Sequence, residues 1–262
     1  MIKKYLGLLR ESMALQLSSE MAYKGNFFIK LIAVGLVDIV SPLLMLLIYT
    51  QTQGIPGWNL MEILFFQGTL FMIFGISHMF IYGVPYEIMD MIRTGNFDKV
   101  LIRPYNALLY TMTTSIDFDG FSEFAVGLFL IIFSSIKLNL ALSGNILIYL
   151  GFMFLAIIFQ YASVIIVSSL AFLVVKSYAL FDIYFNLLDL AKYPTSIYSN
   201  SMQFVMTFVI PIAIISFYPA SVILKTINPW NIILITLSVL AFLGFSILLW
   251  NLAIRKYTSS GG

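Results

Sequence analysis

Six long runs of apolar residues, separated by shorter polar segments, dominate the pattern along the chain. A helix needs roughly 20 apolar residues to cross a hydrocarbon core of about 30 Å. The runs are continuously apolar rather than alternating, which favours helices over the strands of a β-barrel. The pattern predicts an all-α polytopic membrane protein with six transmembrane helices, at Phe27–Thr50, Leu60–Val84, Phe121–Leu138, Asn145–Val175, Gln203–Leu224 and Ile232–Ile254.

The fifth run differs from the others because prolines interrupt it. Pro211 lies within it, and Tyr218-Pro219 follows seven residues later. A helix broken twice cannot satisfy its backbone hydrogen bonds against lipid, so we expect a buried or re-entrant segment. We take Gln203–Ser216 as the entering limb and Tyr218–Thr226 as a short return near the outer surface. A kinked full span is the alternative.

Residues 1–25 form an amphipathic pattern ahead of the first span. Their apolar residues recur at steps of three or four, which predicts a helix lying in the membrane interface. This helix is either a simple anchor or a lever that senses a cytosolic partner. The apolar positions are Ile2, Leu6, Leu9, Met13, Leu17 and Met21.

A second short helix is predicted in the connection between the second and third spans. Pro85 at its start, Arg93 in its last turn and Gly95 after it are typical start and stop signals. One face carries Ile88, Met91 and Ile92. This face could dock on another protein or pack on the membrane surface, and the periodicity favours neither.

The segment Lys176–Asn200 is predicted to be another connection on the same side of the membrane. An apolar face, with Asp182, Asn186 and Asp189 off it, indicates a helix that ends at Tyr193-Pro194. It is either a second interfacial helix or a continuation of the long fourth span.

Composition excludes a soluble protein. Hydrophobic residues make up 61% of the chain, charged residues 10%, and the mean hydropathy is +0.98. Soluble domains have roughly 45–50% apolar and about 25% charged residues. With a net charge of only +2, nucleic acid is not an expected partner. The absence of cysteine excludes disulfides, and the single histidine, His78, excludes a multi-histidine metal site.

The distribution of Lys and Arg predicts that both termini are cytoplasmic. Eleven of these residues fall on the N-terminal side of the membrane, whereas only Lys137 and Lys225 fall in the other loops, and Lys30 lies at the edge of the first span. We expect a single transmembrane domain, with residues 27–254 as its bundle. Residues 259–262 (Ser-Ser-Gly-Gly) are typical of a flexible linker or tag remnant.

Asp38 is the most unusual residue within the predicted spans. It lies four residues before Pro42, which removes a hydrogen bond to the Asp38 carbonyl and should kink the helix. A carboxylate at this depth should face the protein interior or water. It is either part of a polar pathway or subunit contact, or a structural acid that is protonated or paired within the bundle.

Other polar groups in or near the spans have simpler interpretations. Gln67, His78 and Gln160 are expected to form hydrogen bonds between helices, since they do not make a chain that could relay protons. The carboxylates of Asp117, Asp119 and Glu123 are expected to form a solvated cluster at the interface.

Motifs for chemistry are missing from the sequence. Lys176-Ser177 and Lys225-Thr226 lack the glycines of a Walker A phosphate site, and neither a nucleophile elbow nor a metalloprotease histidine pair is present. We therefore expect no enzyme, no catalytic residues, no metal site and no cofactor in this chain.

The whole chain resembles the permease subunits of type-2 ABC transporters, in particular small bacterial six-span permeases. The residues that carry the resemblance are Ile92-Arg93-Thr94-Gly95-Asn96-Phe97-Asp98 with Leu101-Ile102-Arg103-Pro104, Tyr193-Pro194-Thr195-Ser196-Ile197-Tyr198, Ile210-Pro211 and Tyr218-Pro219-Ala220. The longer Lys176–Asn200 segment is a departure that leaves the limits of the fourth and fifth spans open.

The resemblance implies a set of partners and functional residues. The helix at Pro85–Gly95 would be the coupling helix that docks on a separate ATPase subunit, which would hold ATP and Mg²⁺. A second permease, identical or homologous, would complete the transporter among the lipids of a bacterial cell membrane. The implied coupling residues are Tyr86, Glu87, Ile88, Met91, Ile92, Arg93 and Gly95. The intramembrane polar and hinge residues that the sequence pattern itself predicts are Asp38, Pro42, Pro211, Tyr218 and Pro219.

Three functions compete at this point. The first is the permease of an ATP-driven transporter, with export of a hydrophobic, lipid-like, peptide or drug substrate as the expected direction. The second is an ion- or proton-coupled transporter that uses Asp38. The third is a membrane enzyme that uses Asp117, Asp119 and Glu123 with Mg²⁺.

Overall fold

A computed structural model describes residues 2–140, 145–173 and 178–258, and every regular element in these ranges is a helix. The predicted all-α fold class is therefore confirmed. The predicted linker at 259–262 and the start of the segment at 176–200 lie outside the described residues. The helices are α1 (Ile2–Ala22), α2 (Lys24–Gln51), α3 (Leu60–Phe80), α4 (Gly83–Arg93), α5 (Phe97–Leu101), α6 (Ala107–Thr114), α7 (Gly120–Lys137), α8 (Asn145–Ala171), α9 (Tyr178–Leu188), α10 (Asn200–Phe204), α11 (Phe217–Leu224) and α12 (Pro229–Ile254).

Five helices of the described residues are long and apolar enough to cross a membrane. They are α2, α3 together with α4, α7, α8 and α12. They correspond to five of the six predicted runs, and α2 runs on through Pro42 to Gln51. We call the end of the bundle where α4 begins the α4 end, and the end where α3 begins the opposite end.

The sixth passage through the bundle is made by α9 and the turn that follows it. The ring of Phe181 contacts Tyr86 of α4, with centroids 4.3 Å apart, and Tyr184 contacts Tyr82. Farther along, the backbone carbonyl of Ala191 accepts a hydrogen bond of 2.7 Å from Ser216. The neighbouring Phe217 contacts Trp58, just before the start of α3. This segment thus runs from the α4 end towards the opposite end, and it is not the predicted surface connection.

The broken run that follows is a hairpin held at the opposite end. Its first limb consists of α10 and one π-helical turn at Val205–Val209, and it packs alongside α12, where Ser238 donates to the Thr207 carbonyl. Its second limb, α11, returns towards the start of α3, where Lys225 pairs with Glu62 at 2.6 Å. Because α9 already carries the chain from the α4 end to the opposite end, this run both begins and ends at the opposite end. The run is therefore a re-entrant segment.

The two prolines of the hairpin have different roles. The helical turn ends at Val209, and its C-cap Ile210 lies immediately before Pro211, as predicted. Pro219, in contrast, lies in the first turn of α11, which begins at Phe217. An N–H group in the first turn has no intrahelical acceptor, so proline is tolerated there. The second break of the run falls at Ser216, the N-cap of α11, so Tyr218-Pro219 marks the start of the returning limb within one residue of the expected position.

Glycines allow α3 and α7 to pack with their backbones in contact. Gly68 and Gly75 of α3 face Gly127 and Gly120 of α7. A Cβ atom built on Gly68 would lie 2.9 Å from the Gly127 carbonyl, and one on Gly75 would lie 2.7 Å from the Gly120 carbonyl. Small residues of this kind let membrane helices approach closely. This pair of helices positions the polar groups described below.

Candidate functional site

A projection at the α4 end, formed by α4, α5 and α6, contains the predicted coupling helix. α4 ends at Arg93, and Gly95 adopts a φ of +70° immediately beyond it, a left-handed conformation that glycine tolerates. The predicted stop signal is therefore correct. The chain then turns into α5, and Asn106 caps the start of α6 by accepting from the Leu109 N–H.

The predicted apolar docking face of α4 points into the protein. Ile88 is fully buried in the core, whereas Met91 and Ile92 are partly buried against it. Ile88 therefore offers no surface to a partner, because the core of the protein covers it. The expectation that it belongs to a docking face is corrected accordingly.

Glu87 is also engaged within the chain. Its carboxylate accepts hydrogen bonds from the hydroxyl groups of Ser115, the C-cap of α6, and of Thr114 at 3.4 Å. These bonds connect α4 to the end of α6. Glu87 thus has a structural role, and the side chains of α4 that reach the surface are Tyr86, Asp90 and Arg93.

The surface of the projection combines an ion pair with exposed apolar side chains. Arg93 pairs with Asp90 at 2.7 Å. At the tip, Ile102 is 83% exposed and Leu101 is 44% exposed. We call Tyr86, Asp90, Arg93, Leu101 and Ile102 the tip surface. Asp90, Leu101 and Ile102 were missed as site residues, although Leu101 and Ile102 lie in the motif that carries the family resemblance.

An aromatic cluster fastens the tip to the ends of two long helices. Phe97 of α5 is fully buried, and its ring centroid lies 5.1 Å from Phe172, after α8, and 5.2 Å from Tyr257, after α12. Phe172 also contacts Trp250 of α12 at 5.5 Å. A displacement of the tip would therefore be transmitted directly to α8 and α12.

The N-terminal helix touches the same projection. The Lys4 ammonium donates to the Pro104 carbonyl at 3.0 Å, and the Asn106 backbone N–H donates to the Tyr5 hydroxyl at 2.9 Å. α1 is thus in position to act as the lever that the amphipathic pattern allowed, in addition to any anchoring role.

A second group of polar side chains lines a cavity of about 260 Å³ between α2, α3, α7 and α9. His78 of α3 and Glu123 of α7 form a 2.6 Å ion pair or hydrogen bond within it. Asp38 lines the same cavity. Glu123 is buried, so the expectation that it belongs to a solvated interfacial cluster is wrong.

The remaining charges around this cavity come from the turn after α9. Asp189 and Lys192 line it and pair with each other at 2.6 Å. The Asp38 Oδ2 atom, in contrast, is buried and accepts no hydrogen bond from the described residues. The structure therefore brings together polar groups that are distant in the sequence.

Gln160 of α8 forms hydrogen bonds with the start of α4 and with α9. It donates to the Tyr82 hydroxyl at 2.7 Å, and its carbonyl accepts from the Tyr184 hydroxyl at 2.6 Å. The expectation that Gln160 forms hydrogen bonds between helices is confirmed. Gln67 likewise donates to Ser41 of α2 at 3.0 Å.

The other predicted carboxylates lie outside this cavity. Asp119 pairs with Lys30 at 2.5 Å, and Asp117 accepts from the Asp119 backbone N–H at 3.0 Å. Burial raises the pKa of Asp117, and that hydrogen bond opposes the shift. Glu20 joins these two acids within 4.8 Å. Because Glu123 pairs with His78 instead, Asp117, Asp119 and Glu123 do not form the single carboxylate cluster that the sequence predicts.

Comparison with known proteins agrees with this architecture. A family model described as ABC-2 family transporter protein matches residues 36–261. No curated protein and no solved structure matches the chain.

Proposed function

Because the chain belongs to the ABC-2 family of transporter proteins and is therefore an ABC transporter permease, we propose that it forms the membrane pathway of an ATP-driven exporter. In this proposal a separate ATPase subunit, which binds ATP and Mg²⁺, docks on the tip surface. The chain itself performs no hydrolysis.

The observation that carries the proposal is the combination of an exposed tip and a buried anchor in one short segment. Ile102 exposes an apolar side chain at the tip, beside the ion pair of Asp90 and Arg93. Apolar anchors surrounded by polar groups are typical of binding sites for proteins. Five residues before Ile102, Phe97 is buried against the ends of α8 and α12. Movement of a docked ATPase would therefore change the positions of both helices.

The energy for this movement belongs to the partner. A ligand shifts a conformational equilibrium only by its differential affinity for the two states. ATP would bind more tightly to the closed ATPase pair, and the projection, with α1 against it, would convert closure into a rearrangement of the spans.

A second permease is proposed to cover the polar face of α9. Asp182 and Asn186 are exposed along this helix, which passes through the bundle, and Asp189 is exposed in the turn after it. Charged groups at membrane depth are costly against lipid, so they face water or protein. We infer that this face borders the substrate route between two permeases, whether identical or homologous.

An apolar cavity supports a hydrophobic substrate. It has a volume of about 540 Å³ and lies between α8, α9, α12 and the hairpin, with Phe159, Leu187 and Phe242 among its lining residues. A lipid-like, peptide or drug molecule has apolar parts that fit such a space. Export, rather than import, rests on the family resemblance alone.

The proposed orientation places the α4 end in the cytoplasm of a bacterial cell. Lys192, one of the eleven Lys and Arg residues expected on that side, lies instead beside the Asp38 cavity. The excess of Lys and Arg at the α4 end persists without it, as the positive-inside rule requires.

Purification of the tagged full chain from its native membranes in mild detergent tests the proposal. We expect a stoichiometric soluble subunit with a Walker A motif, identified by mass spectrometry, together with a second permease. Vanadate-sensitive ATP hydrolysis should copurify with the complex. Recovery of the chain alone, under conditions that preserve other membrane complexes, would contradict it.

An ion-coupled transporter is the alternative, since Asp38, His78 and Glu123 line one cavity. This function predicts transport by the purified chain without ATP, driven by a proton gradient and abolished in Asp38→Asn. Transport that depends on ATP and ignores the gradient would exclude it.

A further inference from the structure

We propose that the cavity between α2, α3, α7 and α9 binds the ammonium group of an organic cation, with Asp38 as its counter-ion. This inference rests on the proposed function, because it names the chemical class of the transported substrate.

The first argument is that the Oδ2 atom of Asp38 lacks a hydrogen-bond donor among the described residues. The other ionic groups of the cavity pair with each other, Glu123 with His78 and Asp189 with Lys192, both at 2.6 Å. Lys30, on the same helix as Asp38, pairs with Asp119. The buried Oδ2 atom of Asp38 has no hydrogen-bond donor among the described residues. A carboxylate in this position at membrane depth is costly unless a cation accompanies it.

The second argument is the net charge of the cavity. With its carboxylates ionised, it contains Asp38, Glu123 and Asp189 against Lys192 and His78. The sum is negative whether or not His78 carries a proton. A positive ligand is therefore attracted, and an anionic one is repelled.

The third argument concerns the kind of cation. Phe71, Phe74, Tyr82 and Phe185 also line the cavity. Aromatic faces attract organic ammonium groups through cation–π interactions, and sites for quaternary ammonium ligands commonly use several such rings. A strongly hydrated metal ion would gain little here, because it would exchange its water for carbon surfaces.

The fourth argument is size and location. The cavity of about 260 Å³ is several times the roughly 30 Å³ that one water molecule occupies in the liquid, so an ammonium group with its methyl substituents fits. Leu188 of α9 lines both this cavity and the apolar cavity of about 540 Å³. An amphipathic amine could thus place its charged group beside Asp38 and its apolar part across α9.

Binding of tritiated choline to the purified full chain tests the proposal without any ATPase. The chain is placed in phosphatidylglycerol nanodiscs, which contain no ammonium group, and binding is measured by scintillation proximity. We expect saturable binding whose affinity falls at least tenfold in Asp38→Asn and less in Asp38→Glu. Glu11→Gln, which removes the same charge from the exposed face of α1, should bind as the wild type does.

Competitors distinguish the chemistry and its source. The neutral isostere 3,3-dimethylbutan-1-ol should not displace choline, whereas tetraethylammonium should. Displacement by dodecylphosphocholine as well would identify a lipid headgroup as the ligand, and its failure to compete would identify a free organic cation.

Three results would overturn the proposal: no saturable choline binding, equal competition by the neutral isostere, or unchanged affinity in Asp38→Asn. Binding of radioactive Na⁺ without binding of choline would replace the organic cation by a metal ion and also reject it. If Asp38→Asn does not fold, the isostere comparison on the wild type decides. None of these outcomes depends on an ATPase, so the proposed function stands or falls separately.

Discussion

Replacement of Gly75 by alanine is expected to lower the thermal stability of the protein, because α3 and α7 pack there with their backbones in contact. The added Cβ atom would lie 2.7 Å from the Gly120 carbonyl and 2.8 Å from the Phe124 Cα atom, both of which are backbone atoms of α7. Carbon atoms pack at about 3.5–4.0 Å, so α3 and α7 would have to separate by about 1 Å. Overpacking of this kind costs about 1–3 kcal/mol.

Gly244 provides the matched control. It also lies inside a long membrane helix, α12, but a Cβ atom there would meet nothing within 4 Å. Because alanine is the better helix former by about 1 kcal/mol, Gly244→Ala should leave stability unchanged or raise it slightly. The measurement is the melting curve of the detergent-solubilised protein, followed by size-exclusion chromatography after heating. Equal melting of the two variants would show that the close contact of α3 and α7 is not needed.

The same contact explains which part of the site could be predicted from the sequence. Gly68 and Gly75, like Gly120 and Gly127, are seven residues apart and so lie on one face of their helices. The contact between the glycine face of α3 and that of α7 is a feature of the tertiary structure, which the sequence pattern does not show. Their contact brings His78 and Glu123 together, although 45 residues separate them in the chain. The sequence pattern therefore places each of these residues on a helix, but it does not show which residues of α3 contact which residues of α7.

The helical runs were predictable because membrane-spanning segments must be apolar over a fixed length. This length criterion does not detect α9. It has only 11 residues, and Asp182 and Asn186 gave it the pattern of an interfacial helix. In the fold its apolar face packs inside the bundle through Phe181 and Tyr184, while its polar face is exposed. Periodicity gives the faces of a helix but not the medium that each face meets.

For a similar reason, the sequence did not show whether the apolar face of α4 contacts a partner or the core of the protein. Ile88 was expected on a docking face because apolar residues at helical spacing suit either a partner or the core. The core of the protein itself occupies that face. Ile102 directly follows Leu101 at the end of α5, a helix too short to show a periodic pattern, and only its exposure distinguishes it.

Ile102→Asp is expected to release the ATPase subunit. The side chain is 83% exposed, so the folded permease should tolerate aspartate, and its yield and melting temperature should not change. An apolar anchor in the centre of an interface commonly contributes 2 kcal/mol or more, which is about 30-fold in affinity. A carboxylate in the same place must also be desolvated. We therefore expect a loss of at least 30-fold, measured by titrating the purified ATPase onto the permease in nanodiscs.

Ile197→Asp is the control for this substitution. Ile197 is another exposed isoleucine in a short connection, but it lies beyond α9, away from the α4 end. It should retain both ATPase binding and ATP-driven transport. If Ile102→Asp also retains them, the tip surface does not dock the ATPase.

Phe97→Leu separates docking from transmission. Phe97 is buried and contributes no surface to a partner, so the ATPase should bind this variant with unchanged affinity. Leucine keeps most of the volume but loses the edge-to-face contacts with Phe172 and Tyr257, each worth about 0.5–1.5 kcal/mol. The tip would then be held less rigidly against α8 and α12. We expect ATP hydrolysis to continue while transport per ATP falls severalfold. A parallel loss of ATPase binding would instead mean that Phe97 only shapes the tip surface, and unchanged transport would exclude α5 as the link between the ATPase and the spans.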